Sequence, residues 1–226
     1  MSRRTELRPE LEGICPTRMR ARPIDERGYS IPYFVGYVNG KPDFRCADQA
    51  KFAACVKFKK CWLCGEKLGV HHTFVIGPMC VVNRVTSEPP CHLECATYAM
   101  KGCPFLKLPN AQYRLANRPE GYVEPAGVGL THNPTACALY TCREWHLVKV
   151  SNGYLLQLGE PSNVEFWHRA QLATRGQVID AMNIGLPKLA EVAREEGPDS
   201  LAELRRMLHV AQAYLPADGP EMLVLP

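Results

Sequence analysis

The sequence predicts an α+β fold: a treble-clef-like zinc finger (knuckle, β-hairpin, helix), flanked by antiparallel strands and followed by a C-terminal helical hairpin. Three observations carry that expectation. Five cysteines and three histidines fall between residues 61 and 96. Hairpin signals sit at Asn39-Gly40 and at Ser151-Asn152-Gly153. From residue 174 onward the apolar positions switch to a helical period.

Composition bounds the class. With 46% hydrophobic and 22% charged residues in 226, the chain can bury one or two cores and is not of disordered type. No stretch reaches the roughly 18 apolar residues of a membrane helix. The start, "MSRRTELRPELEG", has charge but no apolar run after it, so a cytoplasmic protein is expected. In that compartment eleven cysteines point to metal rather than to disulfides, and eleven cannot all pair. Residues 1–60 hold 13 Lys or Arg against 7 Asp or Glu, a surplus of +6, while the remainder balances at −2. The densest pieces are "RMRAR", with Arg18, Arg20 and Arg22, and "KFKK", with Lys57, Lys59 and Lys60 abutting Cys61. Those six cations are the candidate contacts to DNA or RNA phosphates; the bland alternative is a solvated face.

Taken in order, residues 1–22 read as a flexible basic arm and residues 23–110 as a hairpin plus zinc module. "GYSIPYFVGYVNGKPDF" supplies the hairpin, and "DQAKFAACVKFKK" a short helix with Phe52, Cys55 and Val56 on one face. "VHHTFVIGPMCVVNRV" reads as a second hairpin turning at Gly77-Pro78. "SEPPCHLECATYAMKGC" then reads as a helix, with Ser87 or Glu88 near the cap and Pro89 and Pro90 in or before the first turn. Prolines and glycines make 103–129 an irregular connection, and the domain boundary is expected near 110. Residues 111–173 are β-rich: "ACALYTCREWHLVKV" and "GYLLQLG" form a hairpin, and "NVEFWH" adds a strand. In 174–216, Thr174 and Gln177 form a capping box for a helix ending at Gly197, which Gly185 and Pro187 bend or divide. Leu201, Leu204, Leu208, Ala211 and Leu215 mark the inner face of the next helix, with Ser200 and Glu203 as a second box. Residues 217–226 are a tail.

The metal reading rests on spacing. Cys61 and Cys64, followed by Gly65, suit a tight turn that brings two thiolates to one ion. His92 and Cys95, three apart, share a helix face. Together they make a closed Cys₃His site for Zn²⁺. Cys91 is an alternative to His92, and four cysteines with Cys91 included could instead hold an iron–sulfur cluster. Cys80 and Cys103 read as small hydrophobes.

Two functional classes follow. One is a non-enzymatic, zinc-stabilised binding protein that contacts nucleic acid or a host protein. The other is an HNH-like endonuclease, with His72 as base, Asn83 orienting and His92 holding a catalytic cation; it needs Cys91 to take the zinc instead. Phosphate-binding glycine loops, a nucleophile elbow and HExxH are absent, so no nucleotide cofactor is expected. The runs "PIDERGYSIPYFVGYVNGKPDFR", "CWLCGEKLG", "FVIGPMCVVNRVTSEPPCHLECA", "CPFL", "EPAGV" and "ATRGQVIDAM" resemble a family of uncharacterised phage and prophage proteins. The resemblance spans about residues 22 to 215 and implies the same CxxC and HxxC ligand pairs. It carries no activity with it. In that family a small polar residue stands where Cys91 stands here, which argues for His92 as the ligand.

Overall fold

The computed structural model describes residues 6–109, 111–112, 122, 124–127 and 132–225. Two one-turn helices, α1 (Pro9–Glu12) and α2 (Thr17–Arg20), open the chain. Over residues 6–22 the expected flexible arm is therefore corrected, residues 1–5 lying outside the described residues: Leu11, Cys15 and Met19 are buried in the core around the cysteines. Their period is hidden because Pro9 and Pro16 each restart the helix, cutting it into single turns.

Strands β1 (Val35–Val38) and β2 (Lys41–Ala47) form the expected hairpin, with positive φ at both Asn39 and Gly40 as that turn requires. Helix α3 (Gln49–Phe58) starts where the Asp48 carboxylate accepts from the Lys51 amide, and buries Cys55. It leads straight into the Cys61–Cys64 turn.

The segment after that turn departs from expectation. Strand β3 (His72–Ile76) is followed by a helix, α4 (Pro78–Asn83), and a two-residue strand, β4 (Val85–Thr86), so the hairpin at Gly77-Pro78 is not formed. Gly77 caps the helix and Pro78 occupies its first turn, where a missing amide costs nothing. Val81 and Val82, read as strand residues, bury themselves from this helix. Helix α5 (Leu93–Gly102) begins later than Ser87 or Glu88 suggested, with His92 at its N-cap. Pro89 and Pro90 lie before it in non-helical chain, where the Pro90 carbonyl accepts from the Trp62 amide. A short α6 (Pro104–Lys107) opens the connection, of which residues 110, 113–121, 123 and 128–129 lie outside the described residues.

The remaining strands are β5 (Cys137–Cys142), β6 (Trp145–Val150), β7 (Gly153–Leu158), β8 (Pro161–His168) and β9 (Gln171–Leu172). They build a four-stranded sheet in the order β3-β5-β8-β9 and a three-stranded sheet in the order β4-β7-β6, antiparallel throughout. β6 and β7 make the expected hairpin, but β5 belongs to the other sheet. Both sheets recruit strands from before residue 110, so chain on either side of the expected boundary shares the same sheets.

The four-stranded sheet is a partition, and strand alternation sorts its residues. Phe74, Ile76, Ala138, Tyr140, Cys142 and Phe166 face one core; Cys137, Leu139 and Trp167 face the other. β5 is buried at all six positions because it is central and covered on both faces. The first core lies under α7 (Arg175–Glu196) and α8 (Pro198–Ala211), the expected helical hairpin. The Thr174–Gln177 capping box is present, and α7 runs unbroken through Pro187. At Gly185 it crosses α4 so closely that an added Cβ would stand 2.5 Å from Met79 Cγ. The cap of α8 is Gly197, at φ 117°, and Ser200 lies inside the helix rather than at its start. The tail docks too: Leu223 is buried, and its amide and carbonyl both bond the Gln212 side chain.

Candidate metal centre

The second core holds the cysteine site. Its first half is a turn in which the Gly65 amide donates to the Cys61 carbonyl (2.8 Å) and the Cys61 amide to the Glu66 carbonyl (2.7 Å). Gly65 has φ 86°, and a Cβ there would lie 2.6 Å from the Tyr33 ring, so both backbone and space call for glycine. Trp62, the first of the two residues between the thiols in sequence, anchors the turn by stacking on Phe34 at 5.0 Å and meeting the Phe52 edge at 5.9 Å.

The second half is the start of α5. Cys91 exchanges backbone hydrogen bonds with Thr73, at 2.7 and 3.0 Å, which fixes the chain against β3 just before His92. His92 at the N-cap and Cys95 three residues on then face each other, as cap and third helical residue do.

The Sγ atoms of Cys61, Cys64 and Cys95 and a ring nitrogen of His92 all lie within 4.8 Å of one another. His92 Nδ1 is 3.4 Å from Cys64 Sγ and 4.0 Å from Cys95 Sγ. On the far side of the ring, Nε2 donates to the Lys67 carbonyl at 3.1 Å, leaving the Nδ1 lone pair directed at the thiols. The three cysteines are buried and His92 is half-buried. These four groups can hold a metal ion.

Cys91 stands apart from that set. It is buried against Cys61, to which it hydrogen-bonds, but it is not one of the four mutually close donors. Hydrogen bonds from Cys64, Cys91 and Cys95 push the Cys61 thiol strongly down, and Cys61 in turn drives Cys95 up and Cys64 up to about 11. One thiolate thus opposes the formation of the next, as close like charges do, and a cation is what lets all three ionise together.

The other nominated residues lie as follows. Arg18 bridges the two halves of the site, pairing with Glu66 on the turn and with Glu94 on α5 at 2.8 Å. Arg20 donates to the Glu12 carbonyl and Arg22 to the Ile31 carbonyl. Lys59 sits with Nζ 3.3 Å from the Trp145 ring centroid, and Lys57 lies over Phe58 at 5.3 Å. Lys60 enters the turn through a backbone bridge to Lys67. His72 is buried, and its Nδ1 accepts from Trp145 Nε1 at 3.0 Å. Burial holds its pKa below the usual value. Asn83 ends α4, its Oδ1 accepting from the Val85 amide.

Two features escaped the sequence reading. The Arg18 double ion pair joins residues 48 and 76 positions apart, a separation that leaves no local pattern. The Lys67 carbonyl is a backbone group, and nothing in residue type marks it. Among the described residues no helix is long and apolar enough to cross a membrane. No protein-family model, curated protein or solved structure matches the chain.

Proposed function

We propose that the protein is a non-enzymatic, zinc-stabilised binding protein of phage type, acting in the host cytoplasm on nucleic acid or on a host protein. The observation that carries this reading is the position of His92, with one ring nitrogen among three thiols and the other held by a carbonyl. Three thiolates and an imidazole form the complete tetrahedral shell of a structural zinc and leave no position for a reactive water. The same set favours zinc over an iron–sulfur cluster, which would ordinarily draw on four thiolates. We read the module as a treble-clef variant whose hairpin is replaced by β3, α4 and β4.

The endonuclease reading needs His92 for a catalytic cation and His72 as a base. Both are engaged otherwise: His92 faces the thiols, and His72 is buried and offers its Nδ1 lone pair to Trp145. Plasmid incubated with the purified protein in Mg²⁺ and in Mn²⁺ tests the choice. No metal-dependent cutting is expected. Cleavage that disappears in His72→Ala, with the melting temperature unchanged, would replace the binding-protein reading with the nuclease. In the same preparation, nucleic-acid retention that falls steeply with salt, and less steeply after neutralising Lys57, Lys59 and Lys60, would identify the partner as nucleic acid.

A further inference from the structure

We propose that the open groove beside the metal centre docks an acidic peptide segment with apolar anchors, contributed by a partner protein. The inference rests on the binding-protein reading and chooses a protein over a nucleic acid as the occupant.

The groove has a volume of about 1040 Å³. Its walls are one side of α5 from His92 to Lys101, residues 67–71 and the linker between α1 and α2. Two of those walls meet at the site itself, where His92 Nε2 donates to the Lys67 carbonyl. Three large apolar side chains stand in the opening: Val70 at 67% exposure, Leu93 at 47% and Ile14 at 38%. Solitary exposed apolar residues need no explanation, but three around one concavity mark a contact site.

Charge narrows the occupant. Arg18 is already matched by Glu66 and Glu94. Lys67 and Lys101 also line the groove; Lys101 Nζ lies over the Trp167 ring at 5.8 Å, and neither lysine has an ion-pair partner among the described residues. Apolar side chains flanked by two ammonium groups that have no carboxylate partner, with the lining carboxylate of Glu94 held by Arg18, complement a segment that carries Asp or Glu beside Leu, Ile, Val or Phe. A single-stranded nucleic acid would want successive aromatic faces for its bases. The rings here are Tyr98, buried with its hydroxyl bonded to Ser30, and the imidazoles of His71 and His92, the second of which is a metal donor.

The test is selection from a displayed library of random short peptides against the full, zinc-loaded chain, with an oligothymidine strand measured alongside. Enriched peptides should pair acidic with apolar residues. Their affinity should fall about tenfold in Val70→Asp, a surface change that leaves metal content and melting temperature unaltered, and again in Lys67→Glu, compared at equal metal content because the backbone carbonyl of that residue holds His92. Lys101→Glu supplies an independent charge reversal on α5. No enrichment, enrichment without acidic residues, or full affinity in all three variants would overturn the proposal. Peptides bound elsewhere would end the groove assignment while leaving the binding-protein reading intact. Oligothymidine binding lost in the same variants would give the groove to nucleic acid and overturn the proposal as well. Plasmid cleavage, which would end the broader reading, is scored separately.

Discussion

Replacing His92 with alanine removes one of the four groups that can hold a metal ion and, with it, the tie to the Lys67 carbonyl. Structural zinc in small fingers contributes about 10–16 kcal/mol of apparent binding free energy, so a quarter share is about 3 kcal/mol. That is about two orders of magnitude in metal affinity. Because metal bound only to the folded chain stabilises it, the same loss should lower the melting temperature by about 6–12 °C at this chain length. Competition with a chromophoric zinc chelator reads the affinity, and a thermal melt in excess zinc reads the stability. Both should fall together. Unchanged affinity in His92→Ala would refute the reasoning and hand the fourth position to Cys91.

Three other outcomes follow from the same geometry. Cys91→Ala should keep wild-type metal content and lose about 1 kcal/mol or less, since Cys91 packs against the set without joining it; metal loss equal to that of Cys64→Ser would contradict this. Gly185→Leu should destabilise by about 1–3 kcal/mol or more in chemical denaturation, because α7 and α4 must part to admit the side chain; an unchanged midpoint would deny the close crossing. Burial depresses the folded-state pKa of His72 below 6.5. Under more acidic conditions than that, the unfolded chain takes up a proton that the folded chain refuses, so stability is complete above pH 6.5 and declines as pH falls below it. Denaturation midpoints across pH 7.5 to 5 should therefore drop less in His72→Gln than in wild type, and parallel profiles would refute it.

How much could be read in advance depended on how local the determining physics was. The four donors were legible because CxxC and HxxC place their side chains together through a tight turn and a helix cap, within a few residues each. Asn39-Gly40 was legible for the same reason: two positive φ values in succession admit few residue pairs. The segment at Gly77-Pro78 was misread because β-branched residues suit a strand, while a proline just after a glycine cap also starts a helix; burial against α7 and α8 decides between them. β5 reads in sequence as one arm of a hairpin because its six apolar or small residues look alike from either face, and only its place at the centre of the partition explains them. The docking of Leu11, Cys15 and Met19 was invisible for a different reason, since prolines break the period that would have announced it.

The central claim is that Cys61, Cys64, His92 and Cys95 hold one structural zinc. Elemental analysis of protein purified without chelator, run beside X-ray absorption at the zinc edge, tests it most directly. The account predicts one zinc per chain, bound by three sulfurs at about 2.3 Å and one nitrogen at about 2.0 Å, with no oxygen donor. Four sulfurs, an oxygen from water in the shell, or protein that is folded and free of metal would contradict it.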